Sequence, residues 1–158
     1  MQQTDDCLKI ELIAKRFKEP LSLLYFDLDG FKQINDSLGH DIGDLLLIKF
    51  VTLINECCRA TDILARLGGD EFVLLLPSTS HKSLIAVIDK INALLSITYQ
   101  LDNHSIEIRV SIGAVSVEEQ YLSLITLNKL LKSADKSVYE AKKVEGTFTH
   151  FANEYCQI

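Results

Sequence analysis

The sequence has no tryptophan and little proline, methionine or cysteine: its 158 residues include two prolines, one methionine and four cysteines. The cysteines show no C-x-x-C spacing, and the adjacent pair Cys57-Cys58 lies inside an apolar helical pattern. This distribution argues against both a zinc module and a disulfide framework. A reducing compartment, the cytoplasm, is therefore the expected location.

Long hydrophobic runs and excess positive charge are also missing. No apolar run approaches the roughly 18 residues of a membrane span, and the charged N-terminus does not resemble a signal peptide. We therefore expect no membrane contact from this chain. Its 16 basic and 22 acidic residues give a formal charge of −6, which argues against a broad nucleic-acid surface. One small nucleotide held through metal ions remains compatible with this charge.

The chain does contain enough apolar residues, 47% of the total, to form one continuous core. We predict a single domain over residues 1–158, with a lead-in helix over 1–20 and a catalytic core over about 21–152. In chain order, the patterns first predict a strand at Leu21–Phe26, a polar loop and a helix from near residue 41 to Arg59. Two strands follow in "DILARL" and "EFVLLLP", joined at Gly68-Gly69, and then a helix in "SHKSLIAVIDKINALLS" and a strand in "IEIRVSIGAVSV". The last predicted elements are a helix over about Leu124–Lys143, which ends before Gly146, and a strand near Thr149–Ala152.

This element order, β-α-β-β-α-β with an added helix and strand, predicts an α+β fold with a ferredoxin-like split βαβ core. Its central sheet would be mostly antiparallel and covered by helices. The first strand would then lie beside the hairpin, so that Asp27 and Asp29 could approach Asp70 and Glu71 at the hairpin tip. Clustered carboxylates are normally neutralised by a divalent cation, and oxygen ligands favour magnesium or manganese.

Spacing alone leaves a second interpretation equally open, because acidic residues at strand ends and hairpin tips are common solvated turn formers. Two rival motifs are excluded by the residues present. An EF-hand loop would need an acid or amide where Phe31 stands and a glycine where Lys32 stands. Neither a Walker A sequence nor G-x-G-x-x-G occurs.

Two motifs carry a resemblance to a known family. "DLDGFKQINDSLGHDIGDLLL" and "RLGGDEF" occur in that order along the chain. They are followed by "VSIGA" and "ADKSVYEAK", so the similar region runs from about Leu21 to Lys143. These motifs resemble the GGDEF family of diguanylate cyclases. The resemblance implies a fold similar to nucleotidyl cyclase and polymerase palm domains. It also implies an enzyme of bacterial second-messenger signalling that condenses two GTP into cyclic di-GMP and two pyrophosphates.

The resemblance further implies two Mg²⁺ or Mn²⁺ ions per active half-site and a homodimer that brings two nucleotides together. The implied catalytic and metal-binding groups are Asp27, the carbonyl of Leu28, Asp70 and Glu71. The implied substrate-binding residues are Phe31, Lys32, Asn35, Asp44, Gly68, Gly69 and Lys142. Without the resemblance, Lys32 would be interpreted as a solvated lysine and Asn35 as a turn or cap residue. Asp44 would be an acid favoured by the helix dipole in a first helical turn, and Lys142 would be a lysine that suits the C-terminus of its helix.

The segment Arg59-x-x-Asp62 stands at the distance before "GGDEF" that the family uses for an inhibitory product site. Its ordinary interpretation is a helix-ending arginine followed by a turn aspartate. By the resemblance, cyclic di-GMP would bind there, and a sensory or dimerising domain outside this chain would promote the dimer.

Two departures from the family pattern favour an alternative function. Thr147 follows Gly146 where the family usually has an arginine, and no D-x-L-T-x-L-x-N-R segment precedes the first strand. The alternative is a weak or inactive module that binds GTP or cyclic di-GMP and signals through protein contacts.

Overall fold

The computed structural model describes residues 19–143 and 148–152. Its strands are β1 (Leu21–Leu28), β2 (Ile63–Gly68), β3 (Glu71–Pro77), β4 (Thr98–Leu101), β5 (His104–Glu107), β6 (Val110–Val117) and β7 (Phe148–Phe151). Its helices are α1 (Phe31–Leu38), α2 (His40–Asn55), α3 (His81–Leu95) and α4 (Leu127–Ala141), with a 3-10 helix at Glu119–Leu124.

Five strands form the central sheet in the order β2-β3-β1-β6-β7, and β4 and β5 form a separate hairpin. Strand β3 lies between β1 and β2 and is antiparallel to both. Strand β6 pairs antiparallel with the other edge of β1, and β7 extends the sheet by parallel pairing with β6. The predicted α+β split βαβ core, with its mostly antiparallel sheet and added last strand, is confirmed.

The sheet is buried on both faces because helices cover each of them. Leu24, Phe26 and Leu28 of β1 pack into a cluster that includes residues of α2 and α3. Leu23 and Tyr25, which point to the opposite face, join a second cluster that includes residues of α4. Alternate residues of a strand face opposite sides, so two covered faces explain why β1 is an almost continuous apolar run.

The segment after β1 was predicted as a polar loop and is instead the helix α1. Its apolar residues Phe31, Ile34 and Leu38 do share one helical face, but the helix has only eight residues and none of them is fully buried. Gly39, with φ of 93°, separates α1 from α2. The helix α2 ends at Asn55, four residues before the predicted Arg59.

The predicted strand in "IEIRVSIGAVSV" is two strands, β5 and β6, separated by Ile108 and Arg109. The carbonyl of Arg109 accepts a hydrogen bond from the N–H of Asp29 at 2.9 Å. The break between β5 and β6 therefore lies where Arg109 hydrogen-bonds to the residue that follows β1. The hairpin of β4 and β5 was not predicted, and its turn places Asp102 at a φ of 52°.

The other helices follow their sequence signals. Ser80 caps α3 by accepting a hydrogen bond from the N–H of Ser83, and Thr126 caps α4 in the same way from Lys129. Predictions for residues 1–18, Gly146 and Thr147 fall outside the described residues. Within the described ranges, no helix is both long and apolar enough to cross a bilayer.

Candidate active site

The antiparallel pairing of β1 with β3 brings acidic residues to one end of the sheet. Asp27, near the end of β1, is paired across the strands with Glu71, the first residue of β3. The N–H of Leu28 donates a hydrogen bond to the carbonyl of Asp70 at 3.2 Å. The structure thus brings together the three predicted carboxylates and the predicted carbonyl-bearing residue.

The turn that carries Asp70 lies one residue later than predicted. Gly68 is the last residue of β2 and pairs with Glu71, so the two-residue connection is Gly69-Asp70 and not Gly68-Gly69. The pairing register shifts between Arg66 and Gly68, which accounts for the displacement. Gly69 has a φ of 51°, a conformation that favours glycine. The Arg66 guanidinium donates two hydrogen bonds to the Gly69 carbonyl, at 2.6 and 3.0 Å, and secures the turn.

Two of the acidic side chains are oriented by neutral hydroxyl groups. The Tyr25 hydroxyl donates to Oε1 of Glu71 at 3.0 Å, and the Ser111 hydroxyl contacts both oxygens of Asp29 at 2.9 and 3.1 Å. Burial and then the Glu71 carboxylate raise the pKa of Tyr25 above its ordinary value, so the hydroxyl keeps its proton. Burial raises the pKa of Asp29, and the charge of Asp27 adds to this effect, while the hydrogen bond from Ser111 opposes it.

A lysine supplies the positive charge next to Asp27. Lys142 follows α4 directly, and its Nζ lies 2.7 Å from Oδ2 of Asp27. Burial lowers the pKa of Lys142, but the hydrogen bond to Asp27 and the charges of Asp27, Asp29 and Asp70 raise it more. The ammonium is therefore positively charged at neutral pH, and it balances part of the negative charge at this end of the sheet.

The donor set fits a cation that also binds a substrate. In the described part of the chain, no three Asp, Glu, His or Cys side chains are grouped closely enough to hold a metal ion alone. Magnesium usually takes one or two protein carboxylates and completes its shell with phosphates and water. Asp27 and the neighbouring Asp70 and Glu71 can supply that number of oxygen ligands.

The helix α1 begins two residues after Asp29 and directs its N-terminus toward this end of β1. Gly30 precedes it and offers no side-chain cap, and its carbonyl accepts the first helical hydrogen bond, from Ile34. The preceding N–H groups, including those of Phe31 and Lys32, have no partner inside the helix. A helix N-terminus with free N–H groups and an exposed lysine is electrostatically suited to a phosphate.

The helices α1 and α2 bring together the two residues predicted to bind guanine. The side chain of Asn35 lies against Gly43, where even a methyl group would overlap its Oδ1 atom. Asp44 is the next residue of α2 and is exposed, whereas Asn35 is partly buried. Glycine at position 43 therefore permits Asn35 to pack closely against α2 at the residue before Asp44.

Arg59 and Asp62 form a separate feature at the opposite end of β2. The N–H of Arg59 donates to Oδ2 of Asp62 at 2.6 Å, and the Arg59 carbonyl accepts from the N–H of Asp62 at 3.0 Å. The Oδ1 atom of Asp62 is buried and has no hydrogen-bond partner among the described residues. The six residues of β2 separate this turn from the Gly69-Asp70 turn by about 20 Å.

A cleft of about 550 Å³ opens beside α1, on the side that faces the connection between β5 and β6. Its walls are formed by Asp29, Gly30, Gln33, Ile34, Ser37, Leu38, Glu107 and Arg109. Neither Asn35 nor Asp44 lines this cleft, so it is not the predicted guanine site.

Comparison with known proteins places these features in a family. The family model described as "Diguanylate cyclase, GGDEF domain" matches residues 3–147. The chain belongs to the GGDEF family. This GGDEF domain is similar to the bifunctional diguanylate cyclase/cyclic di-GMP phosphodiesterase MucR of Pseudomonas aeruginosa, with 40% identity over 82% of the chain and 18% of the relative. It is also similar to diguanylate cyclase A of Treponema denticola, with 38% identity over 80% of the chain and 33% of the relative.

Solved GGDEF structures show the same architecture. An EAL/GGDEF domain protein from M. capsulatus aligns with a TM-score of 0.81 and 34% identity over 94% of this chain and 95% of the other. The GGDEF domain of TpbB from Pseudomonas aeruginosa aligns with a TM-score of 0.80 and 33% identity over 92% and 89%. This GGDEF domain spans only 18% and 33% of the two curated relatives named above.

Sequence reasoning missed three residues that shape the site: Tyr25, Arg66 and Ser111. Tyr25 could have been found, because it lies two residues before Asp27 and must share its face of β1. Ser111 belongs to the "VSIGA" motif, but its contact with Asp29 depends on the pairing of β1 with β6. Arg66 had no sequence signal beyond its place before the glycines.

Proposed function

We propose that this GGDEF domain is the catalytic domain of a diguanylate cyclase, which converts two GTP into cyclic di-GMP and two pyrophosphates. Each 3′-oxygen attacks the α-phosphorus of the other nucleotide and loses its proton as the bond to pyrophosphate breaks. The observation that carries the proposal is that Asp27 lies opposite Glu71, with Asp70 in the adjoining turn. Asp70 and Glu71 belong to an unaltered GGDEF motif.

Asp27 and Asp70 are the proposed metal-binding carboxylates, with the carbonyl of Leu28 assisting and Glu71 as a further ligand. Two Mg²⁺ or Mn²⁺ ions per half-site would activate the attacking hydroxyl and neutralise charge on the departing pyrophosphate. The Tyr25 hydroxyl supports this assignment, because by holding Oε1 of Glu71 it leaves Oε2 available to a cation.

The triphosphate is proposed to lie between the N-terminus of α1 and the Gly69-Asp70 turn. Lys32 and the free N–H groups at Phe31 would donate to phosphate oxygens there, and Lys142 would approach from the end of α4. The absence of a side chain at Gly69 keeps this approach open. The chain's contribution is therefore mainly to bind and orient a highly charged substrate.

The proposed guanine readers are Asn35 and Asp44. Guanine has donors at N1 and N2 and an acceptor at O6, so a carboxylate and an amide can satisfy its edge. The packing of Asn35 against Gly43 supports this pairing, since it holds the amide against α2 at the residue before Asp44.

One bound nucleotide per domain requires a symmetric homodimer for the reaction. The relatives are several times longer than this chain, so we propose an attached sensory or dimerising domain that promotes the encounter. Arg59 and Asp62 are the proposed site for inhibition by cyclic di-GMP, where the Arg59 guanidinium would pair with a phosphate or a guanine and the Asp62 carboxylate would accept a guanine donor. The cytoplasm is the proposed location, because GTP is the substrate.

A second candidate function is a domain that binds GTP or cyclic di-GMP without turnover and acts through protein contacts. Thr147 favours it, because an arginine in that position would offer a bidentate phosphate contact that threonine lacks.

The test is to incubate the concentrated chain with GTP and Mg²⁺ and to detect cyclic di-GMP by chromatography. A second sample carries an N-terminal coiled-coil fusion that enforces dimerisation. Product is expected from the wild type and from Asp89→Ala, which removes an exposed carboxylate on α3, but not from Asp70→Ala. No product from the enforced dimer, despite measured GTP binding, would favour the second candidate.

A further inference from the structure

Two consecutive lysines after α4 make different contacts, and the difference defines a role for one of them. Lys142 contacts Oδ2 of Asp27 at 2.7 Å, with the two side chains 44% and 15% exposed. Among the residues that the structure describes, Lys143 instead contacts both oxygens of Glu140, at 2.7 and 2.8 Å, and the ring of Tyr139. The contact of Lys142 with the sheet is therefore specific to that position and does not reflect a general excess of lysine.

A divalent cation on Asp27 would compete with this ammonium group. Both positive charges would approach the same carboxylate, and the repulsion between them is strong at such short distances, particularly beside a carboxylate that is mostly buried. Lys142 would have to release Asp27 as the cation binds. The same ammonium group is long and flexible enough to move to a phosphate oxygen of the nucleotide.

We propose that Lys142 is an internal counter-ion that has two partners, Asp27 before substrate binds and the nucleotide phosphates afterwards. This inference rests on the proposed function, and it adds an order of events to it. The cation alone binds weakly because Lys142 opposes it, whereas the cation and the nucleotide together bind tightly because the phosphates attract Lys142 away from Asp27. The two ligands therefore promote each other's binding through one side chain.

The two halves of this role predict effects of opposite sign for Lys142→Met. Without nucleotide, the variant should bind Mn²⁺ about three- to tenfold more tightly than the wild type, because it lacks the competing charge. With saturating Mn²⁺, the variant should bind 3′-deoxy-GTP about three- to tenfold more weakly, because the phosphates lose a cationic partner. A residue that served only as a phosphate contact would change the second affinity and not the first.

Both affinities can be measured without catalysis. Electron paramagnetic resonance reports free Mn²⁺ during a titration, and 3′-deoxy-GTP lacks the attacking hydroxyl, so no turnover occurs. Lys143→Met is the matched control, since it removes the same charge one residue away from a side chain that does not contact Asp27. Lys142→Gln provides a second variant, and circular dichroism confirms that each protein is folded.

Tighter Mn²⁺ binding and weaker 3′-deoxy-GTP binding in both Lys142 variants, with Lys143→Met unchanged, would support the inference. Equal Mn²⁺ affinities in all the proteins, with binding clearly detected, would overturn the inference and leave the metal site intact. A similar gain in Lys143→Met would also overturn it, because the effect would then be one of general charge. No Mn²⁺ binding to any protein, with or without nucleotide, would overturn the proposed function and the inference together.

Discussion

The hydrogen bond between Tyr25 and Glu71 should be detectable as a coupling energy in the stability of the protein. Tyr25 is only 7% exposed. Its hydroxyl donates to the carboxylate of Glu71 on the neighbouring strand β3, at the predicted catalytic end of the sheet. Four proteins make the measurement: the wild type, Tyr25→Phe, Glu71→Ala and the double variant. Each single change removes the contact without introducing a new polar group, as a double-mutant cycle requires.

The size of the coupling follows from the charge and the exposure of the two groups. A hydrogen bond to a charged group contributes about 1.5–3 kcal/mol, and the part of Glu71 that water can reach lowers this to an expected coupling of about 1–2 kcal/mol. In a chain of this size, each kcal/mol corresponds to roughly 2–4 °C in the melting temperature. Removing Glu71 also relieves its repulsion with Asp27, so the single variant alone would give a misleading value.

Urea unfolding at pH 7 gives the four free energies of unfolding. Tyr99→Phe is the matched control, because the Tyr99 hydroxyl donates to the carbonyl of Leu94 at 2.7 Å and has no contact with Glu71. Combining Tyr99→Phe with Glu71→Ala should therefore give purely additive effects. A coupling below about 0.5 kcal/mol between Tyr25 and Glu71 would refute the proposed orientation of this carboxylate.

The same contact predicts a change in alkaline stability. Burial and the Glu71 carboxylate raise the pKa of Tyr25 above the ordinary value of 10.0, so the folded protein keeps a proton that the unfolded chain loses. This stabilising contribution is fully present below about pH 10 and is lost as the pH rises further. Tyr25→Phe has no such proton, and its free energy of unfolding should fall less steeply with pH than that of the wild type.

Three further predictions concern the turn, the second aspartate and the proposed product site. Gly69→Ala should lower the free energy of unfolding by about 1 kcal/mol in urea titrations, because the φ of 51° disfavours a side chain; an unchanged value would mean that the turn relaxes freely. Asp29→Asn should raise the melting temperature at pH 7 but not near about pH 3, since burial and Asp27 disfavour the ionised form; equal melting temperatures at pH 7 would contradict this. Arg59→Ala should weaken cyclic di-GMP binding at least about tenfold in calorimetry, whereas Arg109→Ala should leave it unchanged. Equal affinities would remove Arg59 from the product site.

The central sheet could be predicted because three of its strands, β1, β3 and β6, are almost fully buried on both faces. Strands β1 and β3 appear in the sequence as nearly continuous apolar runs, and their order along the chain is sufficient to predict the split βαβ topology. The helix α1 was missed because it has only eight residues, too few for its three apolar positions to establish a helical repeat. The hairpin of β4 and β5 was missed because its strands have only four residues each.

The acidic residues of the site could be predicted from motifs, but most of their partners could not. Asp27 belongs to the motif that begins "DLDG", and Asp70 and Glu71 belong to the GGDEF motif, so all three can be identified from the sequence. The contact of Lys142 with Asp27 depends on where α4 ends relative to β1, and this is set by the packing of α4 against the sheet. The position of the turn at Gly69-Asp70 depends on the shift in the pairing register between Arg66 and Gly68, which no residue pattern in the sequence predicts.

The most direct test of the proposed active site is the position of Mn²⁺ in crystals of the chain grown with 3′-deoxy-GTP. Anomalous scattering locates manganese independently of the protein model. We predict manganese bound by carboxylate oxygens of Asp27 and Asp70 and by the nucleotide phosphates, with guanine beside Asn35 and Asp44. Nucleotide bound elsewhere, or manganese away from the end of β1 in crystals that contain the nucleotide, would contradict the proposed site.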